Sequence, residues 1–371
     1  MIRSRKDDHL NYAAAQQREQ PSRTDWDDVR ILHHGLAGID AADVDISTSL
    51  PGGIDWPLPF YINGMTGGTE TTGRVNAALA EAAAETGIAI ATGSMSIYLR
   101  DESVLPTFRV LRDKNPHGFV MGNLSADATP EAARRVVEAL EADALQIHIN
   151  AVQETVMPEG SRGFGAWCEN IATLVDSVSV PVIVKEVGFG LSRETIVRLG
   201  ELGVTIADAA GNGGTNFARV ENERREGKDY AFLADFGQSA PASLLDAASL
   251  PAATPRPALF ASGGVRNPYD VVRGLALGAR AVGVAGTFLH TVLGDSGLEA
   301  GADGTRRLVE QITDWRDRLH EMYAMLGAAR TADLATTDVL VGGELARAAQ
   351  LRGTDLAGLA NRRGRARSAA E

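Results

Sequence analysis

The chain has 371 residues, of which 44% are hydrophobic and 5% are aromatic, so it can bury a large core in one domain or two, and disorder is excluded for its bulk. Its net charge of −12 at pH 7 argues against nucleic acid and membranes as partners, because both bind basic surfaces, but leaves room for an anionic small molecule. The single cysteine, Cys168, excludes an internal disulfide and cysteine-rich metal sites, which suits a reducing cytoplasm.

The N-terminal residues 1–56 are polar, and we expect a lead-in segment with a short helix at residues 9–17. The first residues lack the apolar core of a signal peptide, and no stretch comes near about eighteen uninterrupted apolar residues. We therefore expect an unprocessed cytoplasmic protein without a membrane span. A charged cluster, Arg5-Lys6-Asp7-Asp8-His9, is on its own typical of a solvated, mobile terminus.

From residue 57 onward, short apolar runs alternate with amphipathic stretches of helical period. Thr129-Pro130 and Asn267-Pro268 each place a capping side chain before a proline suited to a first helical turn. The unit count over about 57–292 matches a closed eight-fold barrel of parallel strands, which are covered on both faces and so read as continuously apolar. The eight apolar runs are residues 59–62, 88–91, 118–121, 144–147, 181–184, 204–207, 258–261 and 281–284.

An open, doubly wound sheet is the alternative architecture. It requires a GxGxxG turn after its first strand, and Met65-Thr66-Gly67-Gly68 is too short for that turn. Beyond the barrel core, residues 304–360 show helical patterns, and the Arg-, Ser- and Ala-rich tail 361–371 is expected to fray. The predicted fold is therefore α/β, a single (β/α)8 TIM-barrel domain over residues 1–371 with an N-terminal lead-in segment and a C-terminal helical extension.

Glycines and small polar residues follow nearly every predicted strand, and in a barrel these positions share the rim that carries the active site. Ser262-Gly263-Gly264-Val265-Arg266 follows the seventh strand and Ala285-Gly286-Thr287 the eighth, where barrels commonly bind a phosphate through backbone N–H groups. Arg266 could add charge-assisted hydrogen bonds. One glycine-rich turn alone could simply connect a strand to a helix without binding a ligand, but the two turns together favour a phosphate site.

Further polar side chains follow the fourth and fifth predicted strands and would lie at this rim. The stretch from His148 to Glu154 alone could equally be a polar loop cap. Glu154 is a hard oxygen ligand, and one carboxylate suffices for a Mg2+ ion that bridges a diphosphate, although a surface salt bridge is the alternative. Lys185 points to the barrel mouth, toward an anion or a cofactor edge, whereas pairing with Glu186 is the competing interpretation.

Seven spaced motifs cover residues 5 to about 290. They are Arg5-Lys6-Asp7-Asp8-His9, Met65-Thr66-Gly67-Gly68, Gly93-Ser94-Met95, Gln146-Ile147-His148-Ile149-Asn150 with Gln153-Glu154, Pro181-Val182-Ile183-Val184-Lys185-Glu186-Val187-Gly188, Gly213-Gly214-Thr215, and Ala261-Ser262-Gly263-Gly264-Val265-Arg266. Such a set is far harder to meet by chance than any one motif. Together the motifs resemble those of the type 2 isopentenyl diphosphate isomerases, which are flavoproteins.

The resemblance implies FMN in the barrel, Mg2+, NADPH to reduce the flavin, interconversion of isopentenyl and dimethylallyl diphosphate, and a homo-oligomer, either tetramer or octamer. It also turns the N-terminal charged cluster into a substrate clamp. Carried over residue by residue, the flavin-binding positions are Met65, Thr66, Gly67, Ser94, Asn123, Lys185, Thr215, Gly263, Gly264, Arg266, Ala285 and Gly286. The substrate-binding positions are Arg5, Lys6, Ser94, Met95, Ser96, His148, Asn150 and Gln153; Gln153 is also the catalytic position, and Glu154 is the metal ligand.

The reaction would add a proton at one isoprenoid carbon and remove one two carbons away. Since the site offers no obvious strong acid besides Glu154, our hypothesis, helped by the family, is that the reduced flavin carries the proton while Gln153 orients the substrate. An FMN-dependent barrel dehydrogenase or oxidase is the first alternative, but Gly213-Gly214-Thr215 supplies no histidine base and Cys168 lies in a predicted helix. A non-catalytic flavin-binding barrel is the second.

Overall fold

Eight parallel strands close into a barrel in the computed structural model, which describes residues 2–19, 23–294 and 302–364. The barrel strands follow one another in chain order, and the last of them pairs with the first. Numbered along the chain, the strands are β1 (Val29–Ile31), β2 (Thr48–Leu50), β3 (Ile54–Trp56), β4 (Phe60–Ile62), β5 (Ile90–Ala91), β6 (Val120–Ser125), β7 (Ala144–His148), β8 (Val182–Lys185), β9 (Ile206–Asp208), β10 (Ala258–Ser262), β11 (Ala281–Val284) and β12 (Val339–Val341), of which β4 to β11 form the barrel.

Helices surround the barrel, and several begin at the predicted caps. The side chain of Thr129 accepts a hydrogen bond from Ala132 N at 3.2 Å, and that of Asn267 accepts one from Asp270 N at 3.0 Å. The helices are α1 (Ile2–Arg18), α2 (Glu70–Thr86), α3 (Pro106–Lys114), α4 (Pro130–Leu140), α5 (Ala151–Val156), α6 (Trp167–Ser177), α7 (Arg193–Glu201), α8 (Phe217–Glu223), α9 (Ala240–Ala248), α10 (Pro268–Ala276), α11 (Gly286–Leu293), α12 (Ala302–Leu326), α13 (Gly343–Leu351) and α14 (Leu356–Leu359).

Each predicted apolar run overlaps one barrel strand, so the predicted barrel is confirmed. The largest difference concerns β6, which was predicted at 118–121 and extends to Ser125. Its register continues to Ser125 opposite His148 because polar side chains inside the barrel find partners there. Asn123 Nδ2, for example, donates to Gln146 Oε1 at 3.1 Å. A polar residue therefore does not end a strand when the neighbouring strand satisfies it.

The lead-in segment contains more structure than the predicted short helix. Strands β2 and β3 pair as an antiparallel hairpin at the N-terminal end of the barrel. The Trp56 ring is 2% exposed and lies 5.5 Å from the ring of Tyr61, 5.3 Å from that of Phe119 and 5.4 Å from that of Phe260, measured between centroids. These aromatic contacts close the barrel interior at the end opposite the predicted site.

Helix α1 lies across the other end of the barrel and is longer than the predicted helix at 9–17. Gln16 exchanges two hydrogen bonds with the backbone of Asn216, at 3.2 Å and 2.7 Å. Asp7 Oδ1 accepts a hydrogen bond of 2.7 Å from Thr69 Oγ1. The charged cluster near the N-terminus is therefore held at the rim that the C-terminal ends of the strands form.

The C-terminal extension packs on the outside of the barrel. Trp315 of α12 is 4% exposed, and its ring lies 5.8 Å from that of Phe60 and 5.2 Å from that of Phe288. Strand β12 pairs antiparallel with β1 of the lead-in. Arg362, in the tail that was expected to fray, donates to Ala276 O at 2.6 Å, and residues 365–371 lie outside the described part of the chain. Across the described ranges, no helix is long and apolar enough to cross a membrane.

We predict that the extension and the barrel unfold together. Trp315→Ala removes ring contacts to a barrel strand and should lower the free energy of unfolding by about 3–5 kcal/mol, within a single denaturant transition. Arg318→Ala, on the exposed side of the same helix, is the control and should change it by less than about 0.5 kcal/mol. Urea titration followed by circular dichroism measures both. Two separate transitions, or equal effects of the two substitutions, would contradict the single-domain interpretation.

Candidate active site

A cleft of about 1010 Å³ opens at the C-terminal ends of the barrel strands, under helix α1. It brings together most of the predicted site residues from the C-terminal ends of the eight barrel strands, from the segments that follow them and from the N-terminal helix. The predicted residues that line it are Lys6, Met65, Ser94, Ser96, Asn123, His148, Asn150, Gln153, Glu154, Lys185, Thr215, Gly263, Gly264, Ala285 and Gly286. Within the described residues, Thr66, Gly67, Met95 and Arg266 do not contribute to its walls, and the side chain of Arg5 lies outside the described part of the structure.

One wall consists of glycine backbone. Gly263 and Gly264 follow β10 with φ values of 101° and 70°, which favour glycine. A β-carbon on Gly263 would lie 2.0 Å from Gly211 O, and one on Gly214 would lie 2.7 Å from Gly264 N. The two turns therefore touch backbone to backbone, and Gly211, Gly214, Gly263 and Gly264 all line the cleft. Phosphate binding by these turns stays a prediction.

The wall continues at the start of α11. Thr287 Oγ1 donates to Val265 O at 2.6 Å, which joins this helix to the turn after β10. The Gln17 side chain lies over Gly286, because a β-carbon there would be 2.1 Å from Gln17 Nε2. Gln17 Nε2 also lies 3.4 Å from Thr215 Oγ1. Helix α1 thus covers the glycine wall as well as the substrate side.

On the opposite wall, His148 is buried at the end of β7. Its Nδ1 lies 2.8 Å from Asn123 Oδ1, and Asn123 Nδ2 in turn donates to Gln146 Oε1. Burial lowers the pKa of His148 to about 3, and the positive charges of Lys185 and Lys6 add to the shift. The imidazole is therefore neutral at pH 7, and the Asn123 oxygen assigns its proton to Nδ1.

Next to His148, three predicted residues lie together: Asn150 directly precedes helix α5, and Gln153 and Glu154 belong to it. Asn150 Nδ2 donates to Gln153 Oε1 and to Glu154 Oε1, each at 3.1 Å. Gln153 Nε2 donates to Glu221 Oε1 at 3.0 Å. Both ends of the Gln153 amide are thereby fixed, so its orientation is set by the protein.

Glu221 of α8 was not anticipated from the sequence. It is fully buried, and its Oε1 lies 2.9 Å from His9 Nε2 in the N-terminal charged cluster. Burial opposes ionisation, but hydrogen bonds from His9, Gln153 and Arg224 outweigh it and lower the pKa of Glu221 to about 2. A carboxylate thus links helix α1 to the catalytic candidate Gln153. No local motif marks it, because its partners lie 212 and 68 residues away in the chain.

Lys185 closes β8 and is buried in the cleft floor. Its Nζ donates to the backbone oxygen of Glu186 at 3.0 Å. The Glu186 carboxylate instead accepts hydrogen bonds from Val187 N and Phe189 N, at 2.6 Å and 2.5 Å. The two side chains therefore do not share the hydrogen bond that a Lys–Glu pair would make. Burial lowers the pKa of Lys185, and the carboxylates of Asp208 and Glu186 oppose that shift.

Below this floor, the barrel holds a buried polar cluster around Asp208. The carboxylate accepts from Tyr61 OH at 2.7 Å, from Asn63 Nδ2 at 3.0 Å and from Ser262 Oγ at 2.8 Å. Burial raises the pKa of Tyr61, so its hydroxyl stays protonated as a donor. The cluster satisfies the hydrogen-bonding capacity of a fully buried carboxyl group and supports the strand end from which Lys185 projects, since Lys185 and Asp208 are paired in register.

The predicted role of Arg266 as a phosphate ligand does not agree with the position of its side chain. Arg266 Nη1 and Nη2 donate to Asp27 at 2.9 Å and 2.7 Å, and Nε donates to Asp270 at 3.0 Å. The sequence could not indicate this because Asp27 lies 239 positions away, in the lead-in. The backbone of the turn forms the wall, and the guanidinium faces away from it into an ion-pair network.

Comparison with known proteins places the chain in a family. The family model described as FMN-dependent dehydrogenase matches residues 114–341. A protein of Kitasatospora griseola named isopentenyl-diphosphate delta-isomerase is 53% identical over 358 residues, which cover 96% of this chain and 94% of that protein. A protein of the same name from Listeria welshimeri is 42% identical and covers 97% of each chain.

Solved structures share the fold at lower identity. A mandelate oxidase variant with a monooxide FMN adduct has a TM-score of 0.60 and 17% identity, covering 90% of this chain and 92% of its own. A flavocytochrome b2 variant with benzoylformate has a TM-score of 0.61 and 19% identity, covering 86% and 77%. The chain therefore belongs to the FMN-dependent dehydrogenase family and, through its near full-length relatives, to the isopentenyl-diphosphate delta-isomerases.

Proposed function

We propose that this protein interconverts isopentenyl diphosphate and dimethylallyl diphosphate with reduced FMN and Mg2+. The observation that carries the proposal is that one cleft joins a wall of glycine backbone to a wall of polar side chains on β7 and α5. The first wall suits a flavin phosphate and the second a metal-bound diphosphate. The names of the near full-length relatives support the same reaction.

The residues that line the cleft fit both FMN and Mg2+. For FMN, Gly214, Gly263 and Gly264 line the cleft with backbone, because a β-carbon on any of them would clash with the facing turn, and the buried Lys185 lines the same cleft. For Mg2+, Glu154 is paired with Asn150, whose Oδ1 is buried and has no hydrogen-bond partner among the described residues. Such an oxygen would accept a hydrogen bond from a metal-bound water. One protein carboxylate is enough when a diphosphate supplies other ligands.

The side chains of the protein would bind the substrate, orient it and shield it from water. Lys6 Nζ is 3.2 Å from Ser94 O, at the cleft mouth, where its charge would attract a diphosphate. Gln153, held by Asn150 and Glu221, would fix the position of the allylic carbons, and α1 would exclude water from a cation-like state. When bound, reduced FMN would supply the transferred proton and Mg2+ would neutralise the diphosphate.

The resemblance to the family extends the proposal to NADPH as the reductant of FMN and to a homo-oligomer, tetramer or octamer. The single cysteine supports a reducing cytoplasm as its location. A dehydrogenase that uses a cysteine nucleophile is not favoured, because Cys168 is exposed on α6 and outside the cleft. The bound cofactor would therefore supply the chemistry, and the side chains would position the substrate.

The first prediction concerns the reaction itself. The protein loaded with FMN, reduced anaerobically and supplied with Mg2+ should convert isopentenyl diphosphate to the dimethylallyl isomer, and in deuterated water the product should carry deuterium. NMR follows both. Oxidised FMN should give no product. Absence of both isomerisation and exchange under reducing conditions would overturn the proposed function.

The second prediction separates the metal ligand from the positioning residue. Glu154→Gln should raise the Mg2+ concentration for half-maximal activity by about tenfold or more, and excess Mg2+ should restore activity. Gln153→Ala should lower kcat about 100-fold, and Mg2+ should not restore it. Glu169→Gln, at an exposed position of α6, is the matched carboxylate control. Rescue of Gln153→Ala by Mg2+ would contradict the assigned roles.

The third prediction follows from the charge state of His148. Its pKa of about 3 in the folded protein lies below its usual value near 6.5, so the unfolded chain binds the proton more readily and stability falls as the pH falls below about 6.5. Between pH 7 and pH 5 the wild-type protein without ligands should lose about 2 kcal/mol more stability than His148→Asn. Exposed His117→Asn should behave like the wild type. Denaturant titrations at both pH values measure this, and parallel losses in all three proteins would contradict it.

A further inference from the structure

The guanidinium of Arg266 sits in a closed network of four charges. Its Nη1 and Nη2 form the fork to Asp27, and Asp270 accepts from Arg266 Nε at 3.0 Å and from Arg266 N at 3.0 Å. Arg273 Nη1 donates to Asp270 at 2.7 Å and lies 3.5 Å from Asp27. Two arginines thus face two carboxylates, and their formal charges cancel. The hydrogen bond from Arg266 lowers the pKa of Asp27 to about 2, so Asp27 stays ionised.

Trp26, the residue before Asp27, holds the same glycine turn from its outer side. The indole is 1% exposed, and its Nε1 donates to Gly263 O at 2.9 Å. Gly263 O and Gly264 N belong to one trans peptide unit, in which C=O and N–H point in opposite directions. An indole that fixes the carbonyl on the outer side therefore directs the amide of Gly264 toward the opposite side, where Gly264 lines the cleft.

The residues around Trp26 are anchored to neighbouring loops as well. Asp25 Oδ2 accepts a hydrogen bond of 2.6 Å from Ser239 Oγ, and Ser239 caps α9. Thr24 lies next to Gly213, since a β-carbon on Gly213 would be 3.8 Å from Thr24 Cβ. The short 3₁₀ turn Asp25–Asp28 therefore touches the loops after β9 and β10 together.

We propose that Trp26 and Asp27 hold the Gly263–Gly264 turn in its phosphate-binding conformation, and that Arg266 is a positioning residue for this turn. The inference rests on the proposed FMN binding. Because Asp27 and Asp270 neutralise Arg266, the flavin phosphate would be bound by the backbone amides of the turn. A segment of the lead-in more than 230 positions away in the chain thereby determines the affinity for the cofactor.

Binding of FMN and of riboflavin, which lacks the phosphate, to the apoprotein tests this inference through quenching of flavin fluorescence. Trp26→Phe, Asp27→Asn and Arg266→Gln should each weaken FMN binding about tenfold, because each removes one support of the turn. Their riboflavin affinities should change by less than about threefold, since the turn serves the phosphate. The double variant Asp27→Asn/Arg266→Gln should bind FMN no more than about threefold more weakly than either single variant.

Arg266→Lys keeps the charge but cannot form the fork to Asp27, so it should lose FMN affinity as Arg266→Gln does. If Arg266 bound the phosphate directly, Arg266→Lys would retain most of the affinity, and Asp27→Asn would leave FMN binding unchanged or tighter by releasing the arginine. Either result overturns the inference, and so does wild-type affinity in Trp26→Phe.

Glu194→Gln, which breaks the pair of hydrogen bonds to Arg352 at 2.6 Å and 2.7 Å on another face, is the matched control and should bind FMN as the wild type does. A wild-type protein that bound neither flavin would overturn the proposed function itself. A wild-type protein that bound FMN, with variants that bound it equally well, would overturn this inference alone.

Discussion

The structure depends on the direct backbone contact between the turns that follow β9 and β10. A β-carbon on Gly263 would lie 2.0 Å from Gly211 O, and one on Gly264 would lie 2.7 Å from Gly213 O. Only glycine allows neighbouring strand ends to approach so closely at positive φ. This contact leaves backbone in place of side chains along this part of the cleft. The glycine wall therefore depends on Gly211, Gly213, Gly263 and Gly264. The wall of polar side chains lies across the cleft from it.

Charge is distributed unevenly between the two walls. At the glycine wall, Arg266 is neutralised by Asp27 and Asp270, so the turn offers backbone dipoles in place of a free positive charge. The cleft mouth and floor carry Lys6 and Lys185, each less than a tenth exposed, in a chain whose net charge is −12. Although acidic residues outnumber basic ones in the chain, these two cations lie where anionic groups would bind. Burial and these two cations together keep His148 neutral.

The sequence predicted the eight strands because parallel strands covered on both faces read as continuous apolar runs. It also predicted most of the cleft, since residues that follow such strands share one rim. The remaining features depend on contacts between distant segments. Trp56 finds its aromatic partners only when the barrel closes, Glu221 joins His9 to Gln153 without a local motif, and Arg266 is turned away by Asp27. A glycine-arginine turn alone cannot reveal which carboxylate its arginine will meet.

A crystal structure of the protein with FMN and a non-reactive diphosphate analogue tests the two-wall arrangement most directly. The account predicts the FMN phosphate on the backbone amides of Gly264 and Gly286, with Arg266 still paired to Asp27, and the diphosphate between Lys6, His148 and Glu154. An FMN phosphate bound by the guanidinium of Arg266 after release from Asp27, or one seated beside Lys6, would contradict it.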